Sequence, residues 1–259
     1  MGLFAENLLA GRCAFVAGGT SGIGLGIARR LAGSGARVAV VGRDAEKAAA
    51  AERTLGPGAL GLACDVREYP QVRAAIETAS ASFGVLDIVV SGAAGNFLAP
   101  AAQMSANAFR TVVDIDLNGT FNVFRASYDL LRKPGASLIA ISSGQAAIPM
   151  MWQAHACAAK AGIDQLVRAL AMEWGPSGVR VNALSPGPIT GTEGMARLAP
   201  TEKAVAERTS QIALRRFGTL DEIADSALFL CLAAYMTGTT LVCDGGARLG
   251  NARDPMEER

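Results

Sequence analysis

The chain has 259 residues, of which 51% are hydrophobic, and its 24 lysines and arginines nearly balance its 23 aspartates and glutamates to a formal net charge of +1. This composition supports a large buried core and excludes a disordered or fibrous protein. The near-neutral balance provides no field to attract nucleic acid or an anionic membrane, so neither is expected as a partner.

Short apolar runs alternate with longer amphipathic stretches along the chain. The predicted strands cover residues 13–18, 37–42, 60–65, 86–92, 137–142, 179–185 and 239–245, and all seven are expected to be buried. The predicted helices cover residues 22–33, 44–54, 69–83, 105–132, 152–174 and 220–234. This alternation predicts one α/β domain over residues 1–259, a Rossmann-type doubly wound parallel sheet of about seven strands with helices on both faces.

The first predicted strand leads directly into a glycine-rich turn, AGGTSGIG, at residues 17–24. Gly18, Gly22 and Gly24 would let the backbone turn sharply and approach a pyrophosphate, which the amino terminus of the following helix stabilises. Because the turn lies between a first strand and a first helix, a dinucleotide site is predicted here in preference to a merely structural turn.

The end of the second strand indicates which dinucleotide is bound. An NAD site usually carries a carboxylate there, whereas an arginine accommodates a 2′-phosphate. This chain has Gly42 followed by Arg43, which favours NADP(H), and Asp44 is expected to cap the next helix. Asp65, at the end of the third strand, could accept from the adenine amino group or cap the turn before Glu68, and these two interpretations are equally supported.

A long irregular region is predicted at residues 186–219, after the sixth strand. Long excursions at the carboxyl ends of strands commonly carry ligand contacts in α/β sheets, so this region is predicted to be a substrate lid, with a plain surface insertion as the alternative.

No segment approaches the roughly 18 to 20 uninterrupted apolar residues that cross a bilayer, and the first residues lack the pattern of a signal peptide. The five cysteines are an odd number without a CxxC pair, which is typical of reduced thiols in a reducing compartment. We therefore expect a soluble cytoplasmic protein without a metal site.

The order of several motifs resembles the short-chain dehydrogenase/reductase family over nearly the whole chain. These motifs are AGGTSGIG at 17–24, SGAAG at 91–95, DLNG at 116–119, the serine pair at 142–143, a lysine at 160 and SPGPIT at 185–190. In that family an Asn, a Ser, a Tyr and a Lys perform the chemistry. This chain has Ser143 and Lys160 at two of those positions, but Asp116 replaces the Asn and Ala156 replaces the Tyr.

Both departures resemble one branch of the family, the peroxisomal type of 2,4-dienoyl-CoA reductase. The similar segments include AAGNF at 93–97, DIDLNGTFNV at 114–123, HA at 155–156 and EWGPSGVRVNALSPGPITGTEG at 173–194. The resemblance implies that Asp116 and Lys160 orient a proton-donating water, which we expect between them, and that Asn96 lies near the thioester carbonyl of an acyl-CoA. Ser143 is retained as a further catalytic candidate. The resemblance also implies a homotetramer or homodimer.

Together with the glycine-rich turn, the resemblance assigns a set of residues to NADP(H). They are Gly18, Thr20, Ser21, Gly22, Ile23, Gly24, Arg43, Asp65, Val66, Ala93, Lys160, Pro186, Gly187, Ile189 and Thr190.

The implied reaction is NADPH-dependent reduction of 2,4-dienoyl-CoA to 3-enoyl-CoA in unsaturated fatty-acid degradation. Hydride addition at C5 would leave a delocalised dienolate, which is far less basic than an alkoxide and does not need a phenol as acid. Two alternatives remain open: a carbonyl reductase or alcohol dehydrogenase whose acid has moved to Ser143 or His155, and a non-catalytic NADP(H)-binding subunit. Because the chain ends in EER rather than an SKL-type signal, a cytoplasmic location is expected over a peroxisomal one.

Overall fold

The computed structural model describes residues 4–5 and 7–250. Residues 1–3, 6 and 251–259 of the predicted domain lie outside the described part. The strands are β1 (Cys13–Ala17), β2 (Arg37–Gly42), β3 (Leu60–Ala63), β4 (Ile88–Ser91), β5 (Ser137–Ile141), β6 (Arg180–Pro186) and β7 (Thr240–Cys243). They form one sheet in the order β3-β2-β1-β4-β5-β6-β7, and every neighbouring pair is parallel.

Nine α-helices occur within the described residues. They are α1 (Gly22–Gly33), α2 (Ala45–Leu55), α3 (Tyr69–Phe83), α4 (Ala106–Val113), α5 (Gly119–Ser127), α6 (Ala154–Trp174), α7 (Glu193–Leu198), α8 (Glu202–Ser210) and α9 (Leu220–Leu232). None of the helices in the described part of the chain is long and apolar enough to cross a membrane.

The core consists of two apolar layers, one on each face of the sheet. Because alternate residues of a strand point to opposite faces, Phe15 of β1 packs with the layer that contains α3, α5 and α6, while Val16 packs with α1 and α9. Continuous burial of both faces explains why β1, β4 and β5 are apolar throughout. The predicted single-domain, doubly wound parallel sheet is therefore confirmed.

Three details of the predicted elements are wrong. The helix expected at 105–132 is divided by a π-helical turn at Asp114–Asn118, between α4 and α5. The region 186–219 is not irregular throughout, because α7 and α8 lie within it, each capped by a threonine side chain. The strands β3 and β7 are only partly buried, because they form the two edges of the sheet.

Candidate active site

A cleft of about 850 Å³ runs along the carboxyl ends of the strands. It lies where the chain order reverses, since β1 has β2 on one side and β4 on the other. This reversal opens a crevice between the helices on the two faces, and α/β sheets bind their ligands there.

The glycine-rich turn forms the narrow wall of this cleft. Gly18 has a φ of +73°, and a Cβ added there would lie 2.5 Å from the backbone nitrogen of Ala93, so the ends of β1 and β4 approach too closely for any side chain. Helix α1 begins after Ser21, whose side chain makes no capping hydrogen bond. The first N–H groups of α1 are therefore available to an anion, and the cradle fits the pyrophosphate of a dinucleotide.

The end of β2 forms the wall beside the expected adenine ribose. Asp44 caps α2, as predicted, because its carboxylate accepts from the backbone N–H groups of Glu46 and Lys47. That carboxylate is already engaged by the helix. Arg43 lines the cleft directly before it.

Asp65 closes the same end of the cleft. Its carboxylate accepts from the backbone N–H of Arg67 at 3.0 Å and pairs with the Arg67 guanidinium, and these contacts lower the pKa of Asp65. The turn-capping interpretation is thus confirmed. Asp65 also lines the cleft, and its contact with adenine stays a prediction.

A buried ion pair lies on the floor of the cleft. One Asp116 oxygen is 3.1 Å from Lys160 Nζ, and the other accepts from the backbone N–H of Gly95 at 2.7 Å. Lys160 Nζ also donates to the carbonyl of Ile141 at 2.9 Å, the last residue of β5. Asp116 is 1% exposed and Lys160 is 6% exposed. Each charge is therefore held by its partner and by one backbone group, and Lys160 keeps a third N–H for a ligand.

The π-helical turn positions this carboxylate. A π turn contains one residue more than an α turn, which rotates the residues after it around the helix axis. The Thr120 hydroxyl donates to the Asp116 carbonyl at 2.6 Å within this segment. A Cβ on Gly162 of α6 would lie 2.8 Å from the Leu117 side chain, so α6 packs tightly against the turn. This close approach brings the carboxylate opposite the α6 lysine.

Ala156 occupies the position of the family tyrosine and is 2% exposed. No phenol replaces it, because none of the three tyrosines lines the cleft. Ser143 lines the cleft, but its hydroxyl donates to Gln145 at 2.8 Å. His155 is fully buried with its ring against Phe97, and burial lowers its pKa, so it is neutral near pH 7.

The cleft contains almost every residue that the sequence assigned to it. Besides those described above, it is lined by Thr20, Gly22, Ile23, Gly24, Val66, Asn96, Pro186, Gly187 and Ile189. Thr190 is the exception: it is exposed, and its backbone N–H donates to Gly218. Thr192 lines the cleft in its place, followed by Glu193 of α7.

Sequence reasoning also missed two glutamines. Gln145 lines the cleft, and Gln153 contacts both Gln145 and Asn96. Both follow β5 in a loop with no recognisable motif, so no sequence pattern could have identified them. Within the described residues, no group of three or more His, Cys, Asp or Glu side chains could hold a metal ion.

Two relatives match almost the full chain. The peroxisomal 2,4-dienoyl-CoA reductase [(3E)-enoyl-CoA-producing] of Pongo abelii is 43% identical over 255 residues, covering 95% of this chain and 87% of the relative. The protein of the same name from Danio rerio is 43% identical over 259 residues, covering 97% of this chain and 86% of the relative.

A solved structure and a family model point to the same family as these relatives. The crystal structure of a gluconate 5-dehydrogenase from Burkholderia cenocepacia J2315, in complex with NADP and tartrate, is similar with a TM-score of 0.87 and 32% identity, over 92% of this chain and 96% of that one. A family model described as enoyl-(acyl carrier protein) reductase matches residues 17–248. The chain therefore belongs to the short-chain dehydrogenase/reductase family of oxidoreductases, and it is most similar there to the peroxisomal 2,4-dienoyl-CoA reductases among the relatives named here.

Proposed function

We propose that this oxidoreductase reduces 2,4-dienoyl-CoA thioesters to 3-enoyl-CoA with NADPH. The observation that carries the proposal is the buried Asp116–Lys160 pair at 3.1 Å, in a cleft where Ala156 stands in place of the family phenol. A site with a fixed ion pair and no phenolic acid suits an anion of low basicity. The relatives named above are described as reductases of that substrate class.

Arg43 supports NADP(H) over NAD(H). It follows Gly42 directly and lines the cleft, while the neighbouring carboxylate of Asp44 is used as a helix cap. A guanidinium at this position would pair with a 2′-phosphate. The bound dinucleotide would supply a hydride to C5 of the dienoyl group.

The ion pair would manage the proton. After hydride addition the negative charge spreads from the substrate chain to the thioester oxygen, so hydrogen-bond donors suffice to stabilise it. A water bridging two groups needs them roughly 4.5 Å apart or more, but Asp116 and Lys160 are in direct contact. The expectation of a water between them is therefore replaced: the third N–H of Lys160 would hold the water beside the pair, from where it would give a proton to the α-carbon, and the hydroxide left would take up a proton from solvent.

Asn96 would act at the other end of the reacting group. It lines the same cleft as the pair, one residue after the Gly95 N–H that binds Asp116. An amide N–H near the thioester oxygen would stabilise the charge that develops there.

Residues 186–219 would close the cleft as a lid. Its helix α7 contributes Glu193, Met195 and Leu198 to the cleft lining, and Glu193 lies 3.7 Å from Lys47 on the opposite wall. Both side chains of this ion pair are more than half exposed, so the contact is weak and can open for substrate.

The test is NADPH consumption with 2,4-hexadienoyl-CoA, for the intact protein and for Lys160→Ala and Asp116→Ala. Asp129→Ala, at an exposed carboxylate that pairs with Arg125 outside the cleft, is the matched control. Rates in the two site variants should fall by about 10²- to 10⁴-fold, the range for loss of a general acid or base, with the control unchanged.

The alternatives predict different outcomes of the same test. Turnover of a simple ketone without turnover of the dienoyl-CoA would favour a carbonyl reductase with a relocated acid, and nucleotide binding without turnover of either would favour a non-catalytic subunit. His155 is buried and neutral, and the Ser143 hydroxyl already donates to Gln145. Neither residue is therefore placed to act as the acid of a carbonyl reductase. The homotetramer or homodimer and the cytoplasmic location stay predictions.

A further inference from the structure

A chain of side-chain hydrogen bonds crosses the wall of the cleft beside the ion pair. The Ser143 hydroxyl donates to Gln145 Oε1 at 2.8 Å, and Gln145 Nε2 donates to Gln153 Oε1 at 2.5 Å. The same Gln153 oxygen accepts from Asn96 Nδ2 at 2.7 Å. The chemistry assigned above uses neither glutamine, so both require an explanation.

Gln153 is the fixed centre of this chain. It is 6% exposed, and its Oε1 receives two donors, which matches the two lone pairs of an amide oxygen. Its Nε2 faces the sulfur of Met150 at 3.8 Å, a weak contact. The side-chain carbonyl of Gln153 therefore makes the stronger hydrogen bonds of this residue, and these hold the side chains of Asn96 and Gln145 in defined orientations.

Asn96 keeps two groups for a ligand. One of its two N–H hydrogens is committed to Gln153, which leaves the second N–H free of that bond. Its Oδ1 is buried and has no hydrogen-bond partner among the described residues. A buried amide oxygen without a partner costs about 1–3 kcal/mol, so such an oxygen is typical of a site that a ligand or a bound water completes.

We propose that Gln153, supported by Gln145, is a positioning residue that fixes the Asn96 amide for the thioester end of the substrate. Ser143 anchors the far end of the chain through Gln145, instead of donating to substrate. This inference rests on the proposed function only for the identity of the substrate. The orientation of Asn96 is a structural consequence that can be tested separately.

The matched variants are Gln153→Leu and Gln153→Glu. Leucine removes the acceptor with little change in volume, whereas glutamate keeps oxygens that accept from both Asn96 and Gln145. Gln153→Leu should lower kcat with 2,4-hexadienoyl-CoA about tenfold, the equivalent of one lost orienting hydrogen bond. Gln153→Glu should stay within about threefold of the intact protein, and the affinity for NADPH should be unchanged in both.

A merely structural role for Gln153 predicts another pattern. Both variants would then lower the melting temperature, and the kcat of the folded protein would not change. A double-mutant cycle separates the two, because Gln153→Leu should have no further effect on kcat in an Asn96→Ala background if it acts through Asn96. Additive losses would overturn the proposal.

Ser143→Ala and a crystal structure complete the test. Ser143→Ala removes only the far anchor of the chain, so it should lower kcat less than Gln153→Leu does; a loss of about 100-fold would identify Ser143 as a direct donor to substrate and overturn its role as an anchor. A crystal structure of Gln153→Leu in which Asn96 keeps its orientation would refute the positioning role whatever the substrate is. Absence of dienoyl-CoA turnover by the intact protein would instead refute the proposed function.

Discussion

Removing the charge of Lys160 should destabilise the protein, and removing its partner as well should restore much of that stability without restoring activity. At 3.1 Å and an effective dielectric of about 20, the attraction between Lys160 and Asp116 is about 5 kcal/mol. In Lys160→Met the Asp116 carboxylate stays buried with only the Gly95 N–H as its partner. Breaking a buried pair in this way costs about 3–5 kcal/mol.

In the double variant Lys160→Met/Asp116→Asn no uncompensated charge is left. Replacing a buried ion pair by neutral groups of similar volume is often neutral for stability, so we expect at least about 2 kcal/mol of the loss to be recovered. For a chain of this size each kcal/mol corresponds to about 2–4 °C in melting temperature. The single variant should therefore melt about 6–20 °C lower, and the double variant should melt clearly above it.

Thermal unfolding and NADPH consumption with 2,4-hexadienoyl-CoA measure the two properties on the same samples. Lys203→Met, at an exposed lysine of α8, is the stability control. In both site variants the rate of NADPH consumption should be about 10²- to 10⁴-fold lower than in the intact protein. A double variant no more stable than Lys160→Met, or a Lys160→Met variant that melts with the intact protein, would contradict the expected cost of an unpaired Asp116 carboxylate.

Three further predictions concern single side chains. Arg43→Ala should raise KM for NADPH about tenfold and leave KM for NADH nearly unchanged, since only the 2′-phosphate would meet the guanidinium; initial rates with both nucleotides check this. Ala156→Tyr restores a phenol four residues before Lys160 and should produce measurable turnover of a simple ketone, because an alkoxide needs the acid that a dienolate does not; no gain over the intact protein would contradict this account. Asp87→Asn should lower the unfolding free energy by about 3 kcal/mol at neutral pH, as measured by urea unfolding between neutral and acidic pH.

The sign of the last effect follows from the contacts of Asp87. Burial would raise its pKa, but hydrogen bonds from Arg132, Arg12 and the Cys13 N–H outweigh burial and hold the pKa below its ordinary value of 3.8. The ionised carboxylate therefore stabilises the fold fully above pH 3.8, and this contribution is lost as the pH falls through the lowered pKa. The difference between Asp87→Asn and the intact protein should shrink in acid, and a difference that grows in acid would contradict it.

The order of the strands and helices could be predicted because each element has a local pattern. The apolar runs of β1, β4 and β5 are buried on both faces, and the glycines after β1 mark a turn that only small residues permit. The division between α4 and α5 could not be predicted, because the apolar periodicity of residues 105–132 continues through the π turn. The one extra residue of a π turn does not change the amino-acid composition of the helix in a recognisable way.

The ion pair could be predicted and the glutamine chain could not, for a physical reason. Lys160 matches one catalytic position of the family, and Asp116 replaces the Asn at another. The resemblance therefore implies that their two side chains lie close together. Gln153 meets Asn96 only because two loops are joined in space, with the Ala99 N–H donating to the Trp152 carbonyl at 2.9 Å. Contacts between loops depend on the tertiary fold and have no spacing rule. Thr192 took the place predicted for Thr190 for the same reason.

The π turn at Asp114–Asn118 places a less regular stretch of backbone between α4 and α5. Deleting one residue there would let α4 and α5 join as one regular helix with uniform hydrogen bonding, which intrinsic helix preferences favour. The same deletion would turn the residues on one side of the turn by about 100° relative to the other, and the carboxylate would no longer face α6. The less regular backbone is therefore what keeps the Asp116 carboxylate facing Lys160 of α6.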